Sequence, residues 1–252
     1  MKRYHFLTSL PRAGNTLLGC LINQNKDFCV TANSILLDVI FNLYALKGTP
    51  IYQNFPDDIS HDNILRNVLP NYFSHWTQED ILIRGPWGLP ANLFLIKHLI
   101  DSPKFIVLVR NPLKCLASFI FEEKPKNIAA RCDYLMSDEG LIKKSIDSIN
   151  EIIEKKEDYI VIQYDDLVLN SKKEIKKIYN YLEIKYKPIK TTNLKQFELN
   201  HIKYDDSILP AKIHKIRTKK IEKRKYKITD VLPGHLIVKY SDKKYQLKCI
   251  AK

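Results

Sequence analysis

Apolar and polar positions along the chain fall into two alternating kinds of segment. Short runs rich in aromatic and β-branched residues predict strands at 4–10, 28–31, 80–84, 104–109 and 159–163. Longer stretches with helical spacing predict helices at 14–24, 34–47, 89–100, 112–122, 138–156 and 171–182, the second capped by Asn33 or Ser34. Strand and helix take turns, which is the order of an α/β fold with a central parallel sheet and helices on both faces. In such a fold, ligands bind at the carboxyl ends of the strands.

Two regions break the alternation. Residues 48–80 form a polar stretch with Pro50, Pro56, Pro70, Tyr72, Phe73 and Trp76, which reads as a long irregular insertion of the kind that serves as a lid or an acceptor-binding segment. Beyond about 184 the cues thin out. Residues 226–250 alternate well enough for a hairpin, with Ser241-Asp242-Lys243-Lys244 as its turn. The expected organisation is one domain over 1–252, with an insertion at about 48–80 and a basic C-terminal extension at about 185–252.

The most informative segment follows the first strand. Ser9-Leu10-Pro11-Arg12-Ala13-Gly14-Asn15-Thr16 has the frame of a Walker A loop, G-x-x-x-x-G-K-S/T, in which backbone N–H groups and the start of a helix cradle a phosphate. Gly14 and Thr16 keep their places, but Asn15 stands where the lysine would be. The cation has moved to Arg12, whose planar donor fork suits a phosphate or sulfate oxyanion. The expected fold is therefore a P-loop-like three-layer sandwich whose anion cradle does not depend on Mg-ATP.

A second element lies at the fourth strand, which ends in Arg110-Asn111-Pro112. Proline favours the first turn of a helix, so Ser118 sits about two turns in, on a face that can meet the same ligand as Arg110. Arg12, Arg84 and Arg110 all fall at the carboxyl ends of predicted strands, and this convergence says more than any one of them.

These motifs resemble those of the sulfotransferase superfamily, whose donor is 3′-phosphoadenosine 5′-phosphosulfate (PAPS). Pro11-Arg12-Ala13-Gly14-Asn15-Thr16 fits the family's P-R/K-S/A-G-T/N/S-T loop for the 5′-phosphosulfate, and Arg110 with Ser118 matches its grip on the 3′-phosphate. Arg84, in Arg84-Gly85-Pro86, holds the place of a lysine that meets the bridging oxygen of the breaking S–O bond. Arginine there stabilises the leaving phosphate by charge and cannot give up a proton at neutral pH. Tyr164-Asp165-Asp166-Leu167 is similar to a Y-E/D-D-L turn, to which the family gives a structural role. Late basic segments fold over the donor in this family, which implies His214 or Arg217 near the 3′-phosphate. The resemblance covers roughly residues 4–184. It implies PAPS as donor, 3′,5′-ADP (PAP) as product, no metal, and transfer of a sulfuryl group to a hydroxyl or amine of a small-molecule, carbohydrate, lipid or peptide acceptor.

The general base departs from the family. Neither the glutamate of the G-E-E segment, replaced here by Cys29 to Ser34, nor the histidine two residues after the catalytic lysine, replaced by Pro86, is present. Asp38 is the nearest carboxylate on the following helix and is the expected base, with His61 and His75 as alternatives.

Composition narrows the classes further. The chain carries a formal net charge of +13, and most of it lies after residue 200. Lysines far outnumber arginines, as on a solvated surface, and no zinc finger, RNP or heptad pattern accompanies them, so dedicated nucleic-acid binding is not expected. No apolar stretch approaches a membrane span and the start has no signal-peptide core, so a cytoplasmic location is expected. Five cysteines without C-x-x-C spacing predict reduced, mostly buried thiols. Two other readings remain open from sequence: a P-loop kinase-like phosphotransferase, which would want a lysine at Asn15 and a Mg-binding carboxylate near Arg110, and a non-catalytic nucleotide-binding protein.

Overall fold

Five strands form the central sheet of the computed structural model, which describes residues 2–208, 214–222 and 226–249. They are β1 (Arg3–Ser9), β2 (Phe28–Val30), β3 (Asp80–Arg84), β4 (Lys104–Val109) and β5 (Asp158–Gln163). Their order is β2-β3-β1-β4-β5, and every pairing is parallel. β1 is the middle strand, with Leu7 opposite Arg84 of β3 on one side and Ile106 of β4 on the other. Parallel neighbours require crossover connections, and helices supply them here. Phe105 to Val109 are fully buried as a result.

The helices are α1 (Asn15–Ile22), α2 (Leu36–Ala45), α3 (Pro50–Asn54), α4 (Asp58–Tyr72), α5 (Pro90–Leu99), α6 (Pro112–Glu123), α7 (Ile128–Leu135), α8 (Leu141–Glu154), α9 (Tyr164–Leu169) and α10 (Ser171–Tyr181). α8 shows why the periodicity is readable: Ile142, Ile146, Ile149 and Ile152 recur on one stripe and are all fully buried. α6 begins as its sequence predicts, with Pro112 in the first turn and the Asn111 side chain accepting from the Lys114 N–H at 3.2 Å.

Three expectations are corrected. The 48–80 stretch is largely helical, because Thr49 and Asp57 cap α3 and α4 through their side chains and Leu65, Val68 and Leu69 bury one face of α4. Pro70 falls in the last turn of α4, where it has no N–H to donate to the Arg66 carbonyl, and the helix ends two residues later. α2 starts after Ile35, which offers no side-chain cap; of the expected Asn33 or Ser34, Ser34 Oγ accepts from the Leu36 N–H at 3.4 Å from one residue further out. The hairpin expected at 226–250 is instead α11 (Gly234–Tyr240) flanked by 3₁₀ turns at 228–230 and 243–245, β6 and β7 being two short strands further up the chain. Leu236 and Tyr240, four residues apart, are the buried pair of this helix, whereas Val238 is exposed. Asp242, read as a turn residue, caps the 3₁₀ turn by accepting from the Lys244 N–H at 2.9 Å.

β6 (Glu198–Leu199) and β7 (Ile202–Lys203) form a small antiparallel ribbon. It reaches the body of the fold through Phe197, whose ring lies so close to Gly19 of α1 that a Cβ there would stand 2.5 Å from it. The absent side chain lets Phe197, just before the ribbon, pack against the middle of α1. Among the described residues, no helix is long and apolar enough to cross a membrane.

Candidate active site

The turn after β1 puts backbone and charge at one point. Gly14 precedes α1 with φ of 94°, the left-handed region that favours glycine, and the helix start has no side-chain cap. A Cβ at Gly14 would also meet the Tyr164 ring at 2.9 Å. Arg12 shares the left-handed region, at φ 63°. The buried Asn15 side chain donates to the Leu10 carbonyl at 3.1 Å and braces the turn from inside. It occupies the position of a Walker lysine but faces the loop's own backbone.

The second element docks on the first. Arg110 Nη1 donates to the Arg12 carbonyl at 2.9 Å, and its guanidinium carbon lies 4.5 Å from the centre of the Tyr164 ring. Arg12 Nε donates in turn to Oγ of the buried Ser118, at 3.1 Å. Burial lowers the Arg12 pKa, with nearby Arg110 adding to the effect and Tyr226 opposing it. Arg110 Nε is buried without a hydrogen-bond partner.

The third element approaches from β3. Arg84, its last residue, donates from Nη1 to the Tyr204 hydroxyl at 3.1 Å. Burial pulls the Arg84 pKa below its ordinary value. Neither Arg84 nor Arg110 has a carboxylate partner among the described residues. Tyr204 stacks face to face on His214, with ring centres 3.7 Å apart and planes 3° from parallel. His214 Nδ1 meets Asp206 Oδ1 at 2.5 Å, and its backbone N–H donates to Asp206 Oδ2 at 3.1 Å. Arg217 pairs with Glu222 at 3.6 Å.

Apart from Tyr204, Asp206 and Tyr226, the side chains of these groups line one cleft of about 260 Å³. Of the residues singled out from sequence, Pro11, Arg12, Gly14, Asn15, Thr16, Arg84, Arg110, Ser118, His214 and Arg217 line it. Ala13 does not: its side chain is fully buried, and its N–H closes the turn on the Leu10 carbonyl at 3.3 Å. Asp38 is exposed on α2 and away from the lining. His61 is buried against α2, with Nε2 at 2.8 Å from the Leu43 carbonyl. His75 is exposed in the turn that enters β3, at the amino edge of the sheet and so opposite to the cleft. The structure therefore brings the residues expected to bind the anion together, and none of the three expected bases is among the lining residues. Of the basic segment 208–217, residues 209–213 lie outside the described residues.

Sequence reasoning missed Tyr164 and Tyr204. Tyr164 opens α9 and presents its ring to both Gly14 and Arg110, so the turn assigned a purely structural role also forms a wall of the cleft. Its leading position in the Tyr-Asp-Asp-Leu motif was the available signal. Tyr204 carries none, because only the ribbon's docking on Gly19 brings it to Arg84.

Comparison with known proteins fits this geometry. No curated protein matches the chain in sequence. Among solved structures, the sulfotransferase domain of the curacin biosynthetic pathway aligns over 98% of this chain and 100% of its own, with a TM-score of 0.57 at 15% identity. The sulfotransferase domain of the Synechococcus PCC 7002 olefin synthase aligns over 74% of this chain and 75% of its own, with a TM-score of 0.53 at 19% identity. At these identities the likeness concerns the fold. The family model described as the sulfotransferase domain matches residues 3–230, so that β1, the loop after it, β3, β4 and the ribbon carrying Tyr204 all lie within the match, and the chain belongs to the sulfotransferase family.

Proposed function

We propose that this sulfotransferase uses PAPS as its donor and transfers the sulfuryl group in line to a hydroxyl or amine of an acceptor. The observation that carries the reading is the arrangement of Arg12, Arg84 and Arg110 at the carboxyl ends of three adjacent strands around one cleft, with Arg84 and Arg110 lacking a carboxylate partner among the described residues. A partly buried guanidinium without an anion is costly, and a multiply charged ligand offsets the cost. The cleft fits a donor with anionic groups at two ends. The loop 11–16, with Arg12, receives the 5′-phosphosulfate; Arg110 and Ser118 receive the 3′-phosphate. Arg84 faces the bond that breaks and neutralises charge as it builds on the leaving phosphate. Arg217, paired with Glu222 at 3.6 Å on the cleft wall, adds positive charge beside the donor.

Calorimetry with 3′,5′-ADP tests the donor assignment. The wild-type protein binds, and Arg110→Ala loses about 1.5–3 kcal/mol, roughly ten- to a hundredfold in affinity. A folded Arg110→Ala protein with unchanged affinity would refute the assignment. Transfer from ³⁵S-labelled PAPS to a panel of alcohols, phenols, sugars and amines then identifies the acceptor class.

A further inference from the structure

We propose that His214, oriented by Asp206, is the general base that takes the proton from the acceptor; this rests on the reading of the cleft as a PAPS-dependent transfer site. The two positions at which a base was sought by motif are filled by residues that cannot serve, and Asp38, His61 and His75 lie away from the cleft. Among the residues that line it, His214 is the one side chain whose ordinary titration range spans neutral pH. Glu222, the lining carboxylate, is engaged by Arg217.

The geometry around His214 selects one tautomer. Asp206 accepts at 2.5 Å from Nδ1, so the ring proton sits there and Nε2 keeps its lone pair. Nε2 has no hydrogen-bond partner among the described residues. The second carboxylate oxygen holds the His214 backbone at 3.1 Å, which fixes the ring at both ends of the residue. The parallel stack on Tyr204, itself tied to Arg84 at 3.1 Å, sets the imidazole at a fixed place relative to the arginine that faces the leaving group. A base and a charge stabiliser thus stand on one rigid assembly, which is what a concerted displacement requires.

Nε2 of neutral His214 takes the proton of the acceptor O–H or N–H. The acceptor's oxygen or nitrogen forms the new bond to sulfur, and the bond from sulfur to the bridging oxygen breaks. Its electron pair remains on the 5′-phosphate of 3′,5′-ADP, beside Arg84, and the imidazolium formed is stabilised by Asp206. Asp206 acts through His214 and is a positioning residue.

Protonation of His214 removes the base, so turnover falls as pH drops through the histidine range. The charged and titratable groups around the ring are Asp206, Tyr204 and Arg84, with Lys215, Arg217, Glu222, Arg12, Arg110 and Tyr164 elsewhere on the cleft wall.

The test measures pH–rate profiles with labelled PAPS and the most active acceptor of the panel, together with 3′,5′-ADP affinity. His214→Gln should lower kcat by about 10²- to 10⁴-fold and lose the acidic limb while 3′,5′-ADP binding stays within a few fold. Asp206→Asn should lower kcat by about tenfold or more and displace the limb along the pH axis. Persistence of the limb in a folded His214→Gln protein, or its loss in Asp38→Asn, overturns the proposal. A merely structural Asp206–His214 fastener would lower stability and leave the limb in place. An independent arm reads the tautomer by ¹⁵N NMR of the imidazole in the 3′,5′-ADP complex: a proton on Nδ1 supports the proposal, and a proton on Nε2 overturns it, whether or not an acceptor has been found. If the wild-type protein binds no 3′,5′-ADP and transfers to no acceptor, the reading of the cleft itself fails, and the proposal falls with it.

Discussion

Arg110 donates to the backbone carbonyl of Arg12 at 2.9 Å, so the arginine that ends β4 holds the loop that follows β1. The two elements proposed to bind the donor's anionic groups are therefore joined directly. A ligand that draws Arg110 toward itself also acts on the left-handed turn at Arg12, and each element preorganises the other before any ligand arrives.

Replacing that arginine by lysine separates charge from geometry. Lysine keeps the charge but cannot lie flat on Tyr164 while also donating to Arg12 and the ligand. Arg110→Lys should weaken 3′,5′-ADP binding by about tenfold, measured by calorimetry at constant ionic strength. Affinity equal to wild type would mean that charge alone matters at this position.

Gly14→Ala combines two penalties, a side chain at φ 94° and a Cβ 2.9 Å from Tyr164. The variant should lose about 1 kcal/mol or more of stability, read from denaturant midpoints, and a larger share of its 3′,5′-ADP affinity, because the N–H groups of the turn are displaced together. Shortening the ring with Tyr164→Leu in the Gly14→Ala background should recover part of the stability.

In the proposed reaction Arg84 acts where charge builds, so its removal should be felt in turnover. Arg84→Ala should lower kcat by about 10²-fold while 3′,5′-ADP affinity stays within a few fold. Wild-type turnover in this variant would refute its role. Arg84→Lys restores a cation that can also donate a proton, and comparing the two variants separates charge from proton transfer.

The opposite edge of the sheet has its own electrostatic device. Asp80 is buried and meets Arg3 Nε at 2.8 Å and His5 Nε2 at 3.1 Å. Burial alone would raise its pKa, but the bonds from His5 and Arg3 outweigh burial and hold it below the usual carboxylate range. A depressed folded pKa stabilises the protein above the unfolded value, about 4, and that stability is lost as pH falls through the folded one. Asp80→Asn should cost about 1.5–3 kcal/mol at neutral pH and flatten the loss of stability below about pH 4, as followed by urea unfolding. A parallel pH dependence in variant and wild type would refute this.

Burial pushes the thiols of Cys20, Cys29 and Cys115 up to about 12 and that of Cys132 to about 11. These four should therefore react with thiol reagents at pH 8 only as fast as the fold opens. Rapid labelling of Cys115, which lies near Arg12 and Arg110, would show that the start of α6 opens readily.

The strand and helix order was legible because local chemistry fixed it. Strands buried on both faces are apolar throughout, α8 repeats isoleucine on one stripe, and Asn111-Pro112 announces the start of α6. The candidate anion cradle was legible for the same reason: Pro11, Arg12, Gly14 and Thr16 are consecutive or nearly so, and one strand–loop–helix turn is enough to align them. Arg84 and Arg110 could be placed because a parallel sheet gathers all its carboxyl ends at one edge.

What the sequence withheld depended on contacts between distant segments. The caps at Thr49 and Asp57 were hidden in a stretch rich in proline and polar residues, and 226–250 was read with a period of two because Ile237 and Val238 obscured the buried pair Leu236 and Tyr240. Most of all, the sequence pointed to Asp38, which lies near in the chain to the family's usual base but is exposed on α2. The group poised in the cleft is His214, which arrives from far along the chain because Phe197 packs on Gly19, Tyr204 reaches Arg84 and Asp206 fixes the ring. Periodicity and spacing report neighbours within a few turns; the meeting of residues more than a hundred positions apart is set by which surfaces bury each other, and only the folded chain decides that.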